Sequence, residues 1–198
     1  KPEDPDSAED AVAAEHLDYV YNRVFLNATI LGQVDRNLDG VVEETRDDWV
    51  GRMDYIGVNY YTQLSARSLG FELVQGYAFL DFFPVGSFWT EYPEGLAEVT
   101  LLASSYGLPV MITESGTWDH EDAGSRFLVP HLAALKDAMD DGADVRGFHL
   151  WSLIDNYEWN HGMDLRFGAY AVDDGTKERS LRGIGETYAE IARTRRLP

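Results

Sequence analysis

One short stretch constrains the fold of this chain more than any other. Residues 110–113 form a run of apolar and β-branched side chains, which favours a strand buried on both faces. The run leads directly into Glu114, and Ser115-Gly116 then ends it. A carboxylate at the C-terminal end of a buried parallel strand lies where α/β proteins bind ligands. The alternative interpretation is that Glu114 is a solvated side chain at a strand end.

Strands and helices alternate along the rest of the sequence. Two more strand-like runs cover residues 54–62 and 145–153. Apolar side chains at three- and four-residue spacing predict helices over residues 8–31, 93–106, 125–141 and 182–195. This order is typical of βα units around a parallel sheet. We find no internal repeat and no domain boundary, so residues 1–198 are predicted to form one α/β domain, with 1–7 as a linker or a cut end.

Two connecting segments attract alternative interpretations. Residues 63–92 are rich in Gly and Phe without clear periodicity, which at this length predicts a functional loop. Residues 35–40 resemble the first half of a calcium loop, but the twelfth position is Arg46 instead of Glu, so we favour a polar turn there. Residues 119–122 are interpreted as a loop over the pocket, with a metal cluster as the alternative. No metal and no cofactor is predicted, because the histidines show no metal-ligand spacing: His16, His120, His131, His149 and His161.

Composition excludes several classes of function. The formal charge of −19 argues against nucleic-acid and anionic-membrane partners. The chain has no cysteine, which excludes disulfides and thiol catalysis, and no apolar run long enough to span a membrane. Asp outnumbers Glu, and Lys occurs only at Lys1, Lys136 and Lys177. These features favour a cytoplasmic protein of a halophile, although a high-GC genome would also prefer Arg to Lys.

The segment that follows the third predicted strand has the composition of a carbohydrate site. Trp151, Glu158 and Trp159 lie at or just beyond the end of that strand. Aromatic faces stack on the C–H faces of sugars, and carboxylates accept hydrogen bonds from sugar hydroxyls. The alternative is that both tryptophans belong to the core.

Four motifs resemble, in the correct order, those of glycoside hydrolase family 1, the β-glucosidase and β-galactosidase family. They are DYIGVNYYT at 54–62, ITESG at 112–116, WSLIDNYEW at 151–159 and RFGAYAVD at 166–173. The resemblance implies a (β/α)8 TIM barrel, of which this chain would supply the C-terminal part, about three βα units matching strands 6–8. It also implies hydrolysis of β-glycosides or oligosaccharides with retention of configuration.

The resemblance implies a role for three residues in or just after the strand-like runs 54–62 and 110–113. Glu114 matches the nucleophile, in a motif that usually reads Glu-Asn-Gly and here has Ser115 in place of Asn. Asn59 and Tyr61 match residues near the nucleophile, with Tyr61 as the one that orients it. A phenol that donates a hydrogen bond to a carboxylate stabilises its charge and fixes its direction.

The sugar-binding residues are implied in the same way. Trp151 matches the platform under the sugar, Glu158 and Trp159 match the residues that hold its 4- and 6-hydroxyls, and Phe167 matches a wall of the pocket. A carboxylate at 158 indicates a neutral sugar, since it would repel the phosphate of a 6-phosphosugar.

One half of the expected catalytic pair is absent from the sequence. A retaining glycosidase needs two carboxylates, and the family's acid/base Glu belongs to an Asn-Glu-Pro motif that this chain lacks. The chain is also shorter than a whole barrel, which needs about 250 residues. We therefore expect an N-terminal barrel half as partner, on the same or a separate chain. The alternative is a non-catalytic sugar-binding or scaffold remnant.

Overall fold

A computed structural model describes residues 1–70, 82–85, 89–118 and 123–198. They belong to two compact units, the first comprising Lys1–Asp54 and Thr62–Thr90, the second comprising Tyr55–Tyr61 and Glu91–Pro198. The sequence shows no boundary between them, because the second unit begins and is interrupted inside one strand-like run. In the described part of the chain, no helix combines the length and the apolar character needed to cross a membrane.

In chain order, the helices are α1 (Ala8–Asp18), α2 (Val24–Leu31), α3 (Pro93–Ser104), α4 (Val129–Asp140) and α5 (Gly183–Thr194). The strands are β1 (Gln33–Val34), β2 (Glu44–Thr45), β3 (Ile56–Asn59), β4 (Ser65–Ser68), β5 (Phe82–Val85), β6 (Val110–Ser115), β7 (Val145–Leu150), β8 (Tyr170–Val172) and β9 (Arg179–Leu181).

The first unit begins with the long helix that the sequence predicts. The hydroxyl of Ser7 accepts a hydrogen bond from the backbone N–H of Asp10 and caps α1. A π-helical turn, Tyr19–Arg23, joins α1 to α2 without a break, and Gly32 ends the helix in the left-handed conformation (φ 70°). The predicted helix over 8–31 is therefore confirmed, with an irregular turn in its middle.

The segment 63–92 differs from the predicted loop in the part that is described. β4 and β5 pair antiparallel, with Ser65 opposite Val85 and Ser68 opposite Phe82. Ala66 in β4 is fully buried and packs with Ala13 and Leu17 of α1. The hairpin escaped prediction because β4 is short and has a single buried side chain, so it shows little hydrophobic alternation. The remainder of the loop, at 71–81 and 86–88, lies outside the described residues.

The predicted polar turn at residues 35–40 is confirmed. The carboxylate of Asp35 accepts hydrogen bonds from the backbone N–H groups of Leu38, Asp39 and Gly40, and from the hydroxyl of Tyr19 at 2.7 Å. This is the side-chain-to-backbone bonding of an Asx-type turn. β1 and β2 pair antiparallel on either side of it.

The second unit contains the predicted parallel sheet. Its strand order is β3-β6-β7, and both pairings are parallel, with Ile56 opposite Val110 and Val110 opposite Val145. Val110 and Ile112 are completely buried in the central strand, as its apolar run predicts. The connections carry α3 and α4, which pack against each other.

The third strand is shorter than predicted. Pairing in β7 ends at Leu150, not at residue 153, because the chain turns to bond another segment. The backbone N–H of Ser152 donates to the carbonyl of Phe167, and the N–H of Ala169 donates back to the carbonyl of Ser152. The residues after β7 are thereby fixed beside the antiparallel pair β8–β9. α5 follows this pair, and Tyr188 on α5 donates a hydrogen bond to the carbonyl of Phe148 in β7.

Candidate active site

The strands β3 and β6 bring three predicted residues together at their C-terminal ends. Asn59, the last residue of β3, is in register with Glu114 of β6. The backbone N–H of Tyr60 donates to the carbonyl of Glu114 at 2.9 Å, which extends the pairing one residue beyond β3. The side-chain oxygen of Asn59 accepts a hydrogen bond from the hydroxyl of Thr113 at 2.7 Å. The amide N–H groups of Asn59 therefore remain as its donors at the strand end.

Tyr61 and Glu114 form the closest contact among the predicted residues. The phenol of Tyr61 donates a hydrogen bond to Oε2 of Glu114 at 2.7 Å. Burial raises the pKa of Tyr61, and the hydrogen bond to Glu114 and the negative charges of Glu114 and Glu158 raise it further. The phenol therefore stays protonated at any physiological pH and remains a donor to the carboxylate.

Close backbone approach places Trp151 beside the end of β6. The N–H of Trp151 donates to the carbonyl of Ser115 at 2.9 Å. A Cβ atom on Gly116 would lie 2.0 Å from the carbonyl oxygen of Trp151. Only glycine fits at this crossing, so the Ser-Gly pair after Glu114 serves the approach of the two strand ends.

Glu158 is fixed through one of its two oxygens. Oε1 accepts hydrogen bonds from the indole N–H of Trp151 at 3.1 Å and from the amide of Asn156 at 2.6 Å. Within the described part of the chain, the structure shows no hydrogen bond to Oε2. Glu158 is partly buried, and its negative charge contributes to the raised pKa of Tyr61.

Aromatic rings surround Phe167. The ring of Tyr61 meets it edge-on at 6.2 Å between centroids, and the ring of Trp118 does so at 6.5 Å. Phe167 itself is buried, whereas 83% of the surface of Trp159 is exposed. Glu114, Tyr61, Trp151, Glu158 and Phe167 thus form one cluster at the carboxyl edge of the sheet, with Trp159 at its solvent side.

Comparison with known proteins identifies the family of this chain. The family described as glycosyl hydrolase family 1 matches residues 1–197, almost the whole chain. The chain belongs to this family.

Individual family 1 relatives support the assignment. The β-galactosidase of Saccharolobus solfataricus is 39% identical over 85% of this chain, and that of Pyrococcus woesei is 34% identical over 91%. The chain spans only 36% and 39% of those two proteins. The structure of a β-glycosidase from Pyrococcus horikoshii matches all of this chain with a TM-score of 0.84 at 35% identity, and 46% of that chain is covered. The fold is therefore part of a family 1 TIM barrel.

A buried ion pair anchors the site segment, which we define as residues 151–159. Both oxygens of Asp155 accept hydrogen bonds from the guanidinium of Arg182, at 2.7 and 2.9 Å, and the Asp155 side chain is fully buried. The backbone N–H groups of Gly168 and Val172 also donate to it. Burial alone would raise the pKa of Asp155, but Arg182 and the two amides outweigh it and hold the pKa below its ordinary value.

Several residues of this candidate site escaped the sequence analysis. Trp118, Asn156 and the Asp155–Arg182 pair all contact predicted site residues or hold their backbone. Asn156 lies two positions before Glu158, a spacing that could have suggested a contact, but Arg182 lies 27 residues from Asp155 and no local pattern links them. Trp118 lies four residues after Glu114 and could have been noticed as a third aromatic residue just beyond a strand end.

The search for a metal site covers only the part of the chain that the structure describes, which leaves out His120. Over the described ranges, no group of three His, Asp or Glu side chains could hold a metal ion. The ring of His131 is completely buried and stacks on Phe127 at 3.9 Å, with Nδ1 bonded to the Phe127 carbonyl. The segment 119–122, interpreted as a loop over the pocket, lies outside the described residues.

Proposed function

We propose that this chain is the nucleophile-bearing part of a retaining β-glycosidase, with Glu114 as the nucleophile. The observation that carries the proposal is the 2.7 Å hydrogen bond from Tyr61 to Glu114 at the carboxyl edge of the parallel sheet. It fixes one carboxylate oxygen and leaves the other to attack. Family 1 membership supports the same assignment, because the β-galactosidase and β-glycosidase relatives named above share this fold.

The proposed reaction has two steps. An oxygen of Glu114 attacks the anomeric carbon while the aglycone leaves with a proton from an acid, which gives a glycosyl-enzyme ester. Water, deprotonated by the same acid/base group, then attacks the anomeric carbon and releases Glu114 as a carboxylate. In the resting state Tyr61 holds the nucleophile in one orientation, and its phenol stays protonated because its pKa is raised.

The sugar would lie against the aromatic cluster. Trp151 supplies the platform, Phe167 a wall, and Glu158 and Trp159 the contacts to the 4- and 6-hydroxyls. The exposure of Trp159 leaves its ring available to a ligand. A carboxylate at Glu158 favours a neutral sugar over a phosphorylated one.

The acid/base group must come from another segment. In our proposal the sheet β3-β6-β7 corresponds to strands 6–8 of the family barrel, and β3 and β7 are its outer strands. Outer strands present unpaired backbone groups, which a neighbouring strand can bond. We propose that an N-terminal barrel half, on the same or a separate chain, adds strands there and supplies the second carboxylate. Coverage of less than half of the relatives named above supports this.

The test is covalent labelling of the native protein with the dinitrophenyl glycoside of 2-deoxy-2-fluoroglucose. The fluorine slows both steps, and the good leaving group lessens the need for the acid. We expect one fluorosugar per protein, on the peptide that contains Glu114. Glu114→Gln should not be labelled, whereas Glu186→Gln, an exposed control on α5, should be labelled at the native rate.

Two results would contradict the proposal. A label on another carboxylate would refute the nucleophile assignment. An unlabelled native protein that still binds glucose or galactose would favour the non-catalytic sugar-binding remnant.

A further inference from the structure

Asn156 is bonded in a way that the proposed function does not yet use. Its amide N–H donates to Oε1 of Glu158 at 2.6 Å. Its carbonyl oxygen lies 3.0 Å from the hydroxyl of Ser152, which shares its one proton between Asn156 and the carbonyl of Ile154 at 2.8 Å. The amide orientation follows from chemistry, since an ionised carboxylate only accepts and the nitrogen must therefore face Glu158. Asn156 is partly buried, and Ser152 is buried.

These contacts determine which oxygen of Glu158 can meet a ligand. Trp151 and Asn156, both in the site segment, donate hydrogen bonds to Oε1 of Glu158. Oε2 accepts no hydrogen bond from the described residues and is left for a sugar hydroxyl. A carboxylate held by one donor can still rotate about that bond, whereas two donors on the same oxygen fix its plane.

We infer that Asn156, oriented by Ser152, is a positioning residue that aims Oε2 of Glu158 at the hydroxymethyl side of the sugar and thereby sets selectivity for hexosides over pentosides. The inference rests on the proposed sugar site and adds to it a residue that need not touch the substrate. It predicts that loss of the Asn156 amide weakens only those ligands whose hydroxymethyl group meets Glu158.

A pair of ligands isolates this effect. Deoxynojirimycin and 1,5-dideoxy-1,5-iminoxylitol carry the same ring amine and differ only in the hydroxymethyl group. We define the hydroxymethyl preference as the ratio of their dissociation constants, measured by titration calorimetry on the native protein. The ring amine is common to both ligands, so its titration cancels in the ratio.

The variants separate positioning from packing. Asn156→Leu keeps the size of the side chain without its hydrogen bonds and should lower the preference roughly five- to twentyfold, with less than a twofold change for iminoxylitol. Ser152→Ala should lower it less. Asn156→Asp places two carboxyl groups at hydrogen-bond distance, where repulsion between like charges raises the pKa of one of them, so that one proton is shared in acid. Its preference should be near native at pH 5 and fall by pH 8 as that proton is lost. Tyr61, whose pKa the charge of Glu158 helps to raise, is unchanged in this variant.

Two controls accompany these variants. Asn160→Asp adds a charge at an exposed position two residues from Glu158 and should leave the preference at its native value at every pH. Glu158→Gln tests the sugar site itself and should lower the preference at least as much as Asn156→Leu.

Each outcome of these measurements supports or contradicts the inference or the proposed sugar site. Equal weakening of both ligands by Asn156→Leu, or a pH-independent preference in Asn156→Asp, would overturn the inference and assign Asn156 a purely structural role. If Glu158→Gln leaves the preference unchanged, or the native protein binds neither ligand, the proposed sugar site fails and the inference with it. If Glu158→Gln lowers the preference and Asn156→Leu does not, only the inference fails. Should Asn156→Leu not fold, the nearly isosteric Asn156→Asp variant decides alone.

Discussion

Replacement of Arg182 by Met should destabilise the protein strongly through the partner that it leaves behind. The side chain of Asp155 is completely buried, and both of its oxygens are bonded to Arg182, of whose side chain 15% is exposed. Removal of one member of a buried pair leaves an uncompensated charge, which costs about 3–5 kcal/mol. Two backbone amides and Arg166, 3.5 Å from Asp155, remain as partial compensation, so we expect about 3 kcal/mol.

The assay is urea unfolding followed by circular dichroism, with one matched control. Arg193→Met removes the same side chain from the same end of the protein, but its partner Glu190 is exposed, and that pair should contribute less than about 1 kcal/mol. The double variant Asp155→Leu with Arg182→Met should recover part of the loss, because no unpaired charge is then buried. A loss below about 1 kcal/mol for Arg182→Met, equal to that of the control, would refute the reasoning.

The stabilisation by the Asp155–Arg182 pair should depend on pH. Arg182 and the two amides hold the pKa of Asp155 below its ordinary value despite burial. The stabilisation is therefore complete above about pH 4 and is lost as the pH falls through the folded-state pKa. The difference in stability between the native protein and Asp155→Asn should shrink on acidification below pH 4. A difference that stays constant to pH 2 would contradict this.

Three further predictions test other parts of the chain. Tyr61→Phe keeps the ring contact with Phe167 but removes the bond to Glu114, and should slow fluorosugar labelling about 10- to 100-fold; an unchanged rate would count against its orienting role. Burial lowers the pKa of His131, so the stability of the protein should fall as the pH drops below about 6.5. Thermal melting at pH 7 and pH 5 should show a smaller fall for His131→Asn, which removes this group, than for the exposed control His161→Asn. If the excess of acidic residues is a halophilic adaptation, the melting temperature should rise as KCl shortens the screening length from about 10 Å at 0.1 M to about 3 Å at 1 M, and sucrose of equal osmolality should not reproduce the full rise.

The sequence predicts the regular elements of this fold well because their signals are local. The apolar run before Glu114 forms the central strand β6, and the three- and four-residue spacing over 8–31 forms a continuous helix. Ser7 and Gly32 delimit that helix as their chemistry predicts. Each of these features depends on neighbours within about one helical turn or one strand.

The elements that prediction missed depend on partners far along the chain. The buried side chain of β4, Ala66, packs on α1, which lies more than 40 residues earlier. β7 ends early because the backbone N–H of Ser152 donates to the carbonyl of Phe167. Periodicity carries no information about such pairings.

For the candidate site, the resemblance supplied residues and the geometry supplied their connections. The resemblance implied that Glu114 is the nucleophile and that Tyr61 orients it, and in the structure the phenol oxygen of Tyr61 lies 2.7 Å from Oε2 of Glu114. The expected sugar contacts Trp151 and Glu158 also meet, through the indole N–H. The roles of all four remain predictions until the labelling and binding experiments are done.

The site segment combines its anchor and its proposed ligand contacts within nine residues, and this has a consequence for its variants. Asp155 is tied to Arg182, whereas Glu158, three residues later, has one oxygen that accepts no hydrogen bond from the described residues. The backbone N–H of Asp155 donates to the carbonyl of Tyr170 at 3.2 Å and that of Glu158 donates to the carbonyl of Gly162 at 2.7 Å, so the backbone from the anchor to Glu158 is held at both ends. Arg182→Met should therefore disturb Glu158 and also lower the free energy of unfolding. Asn156→Leu should disturb Glu158 with a smaller change in the free energy of unfolding. Comparison of the hydroxymethyl preference with the free energy of unfolding across Arg182→Met and Asn156→Leu would separate the two, because only the first should change both by a large amount.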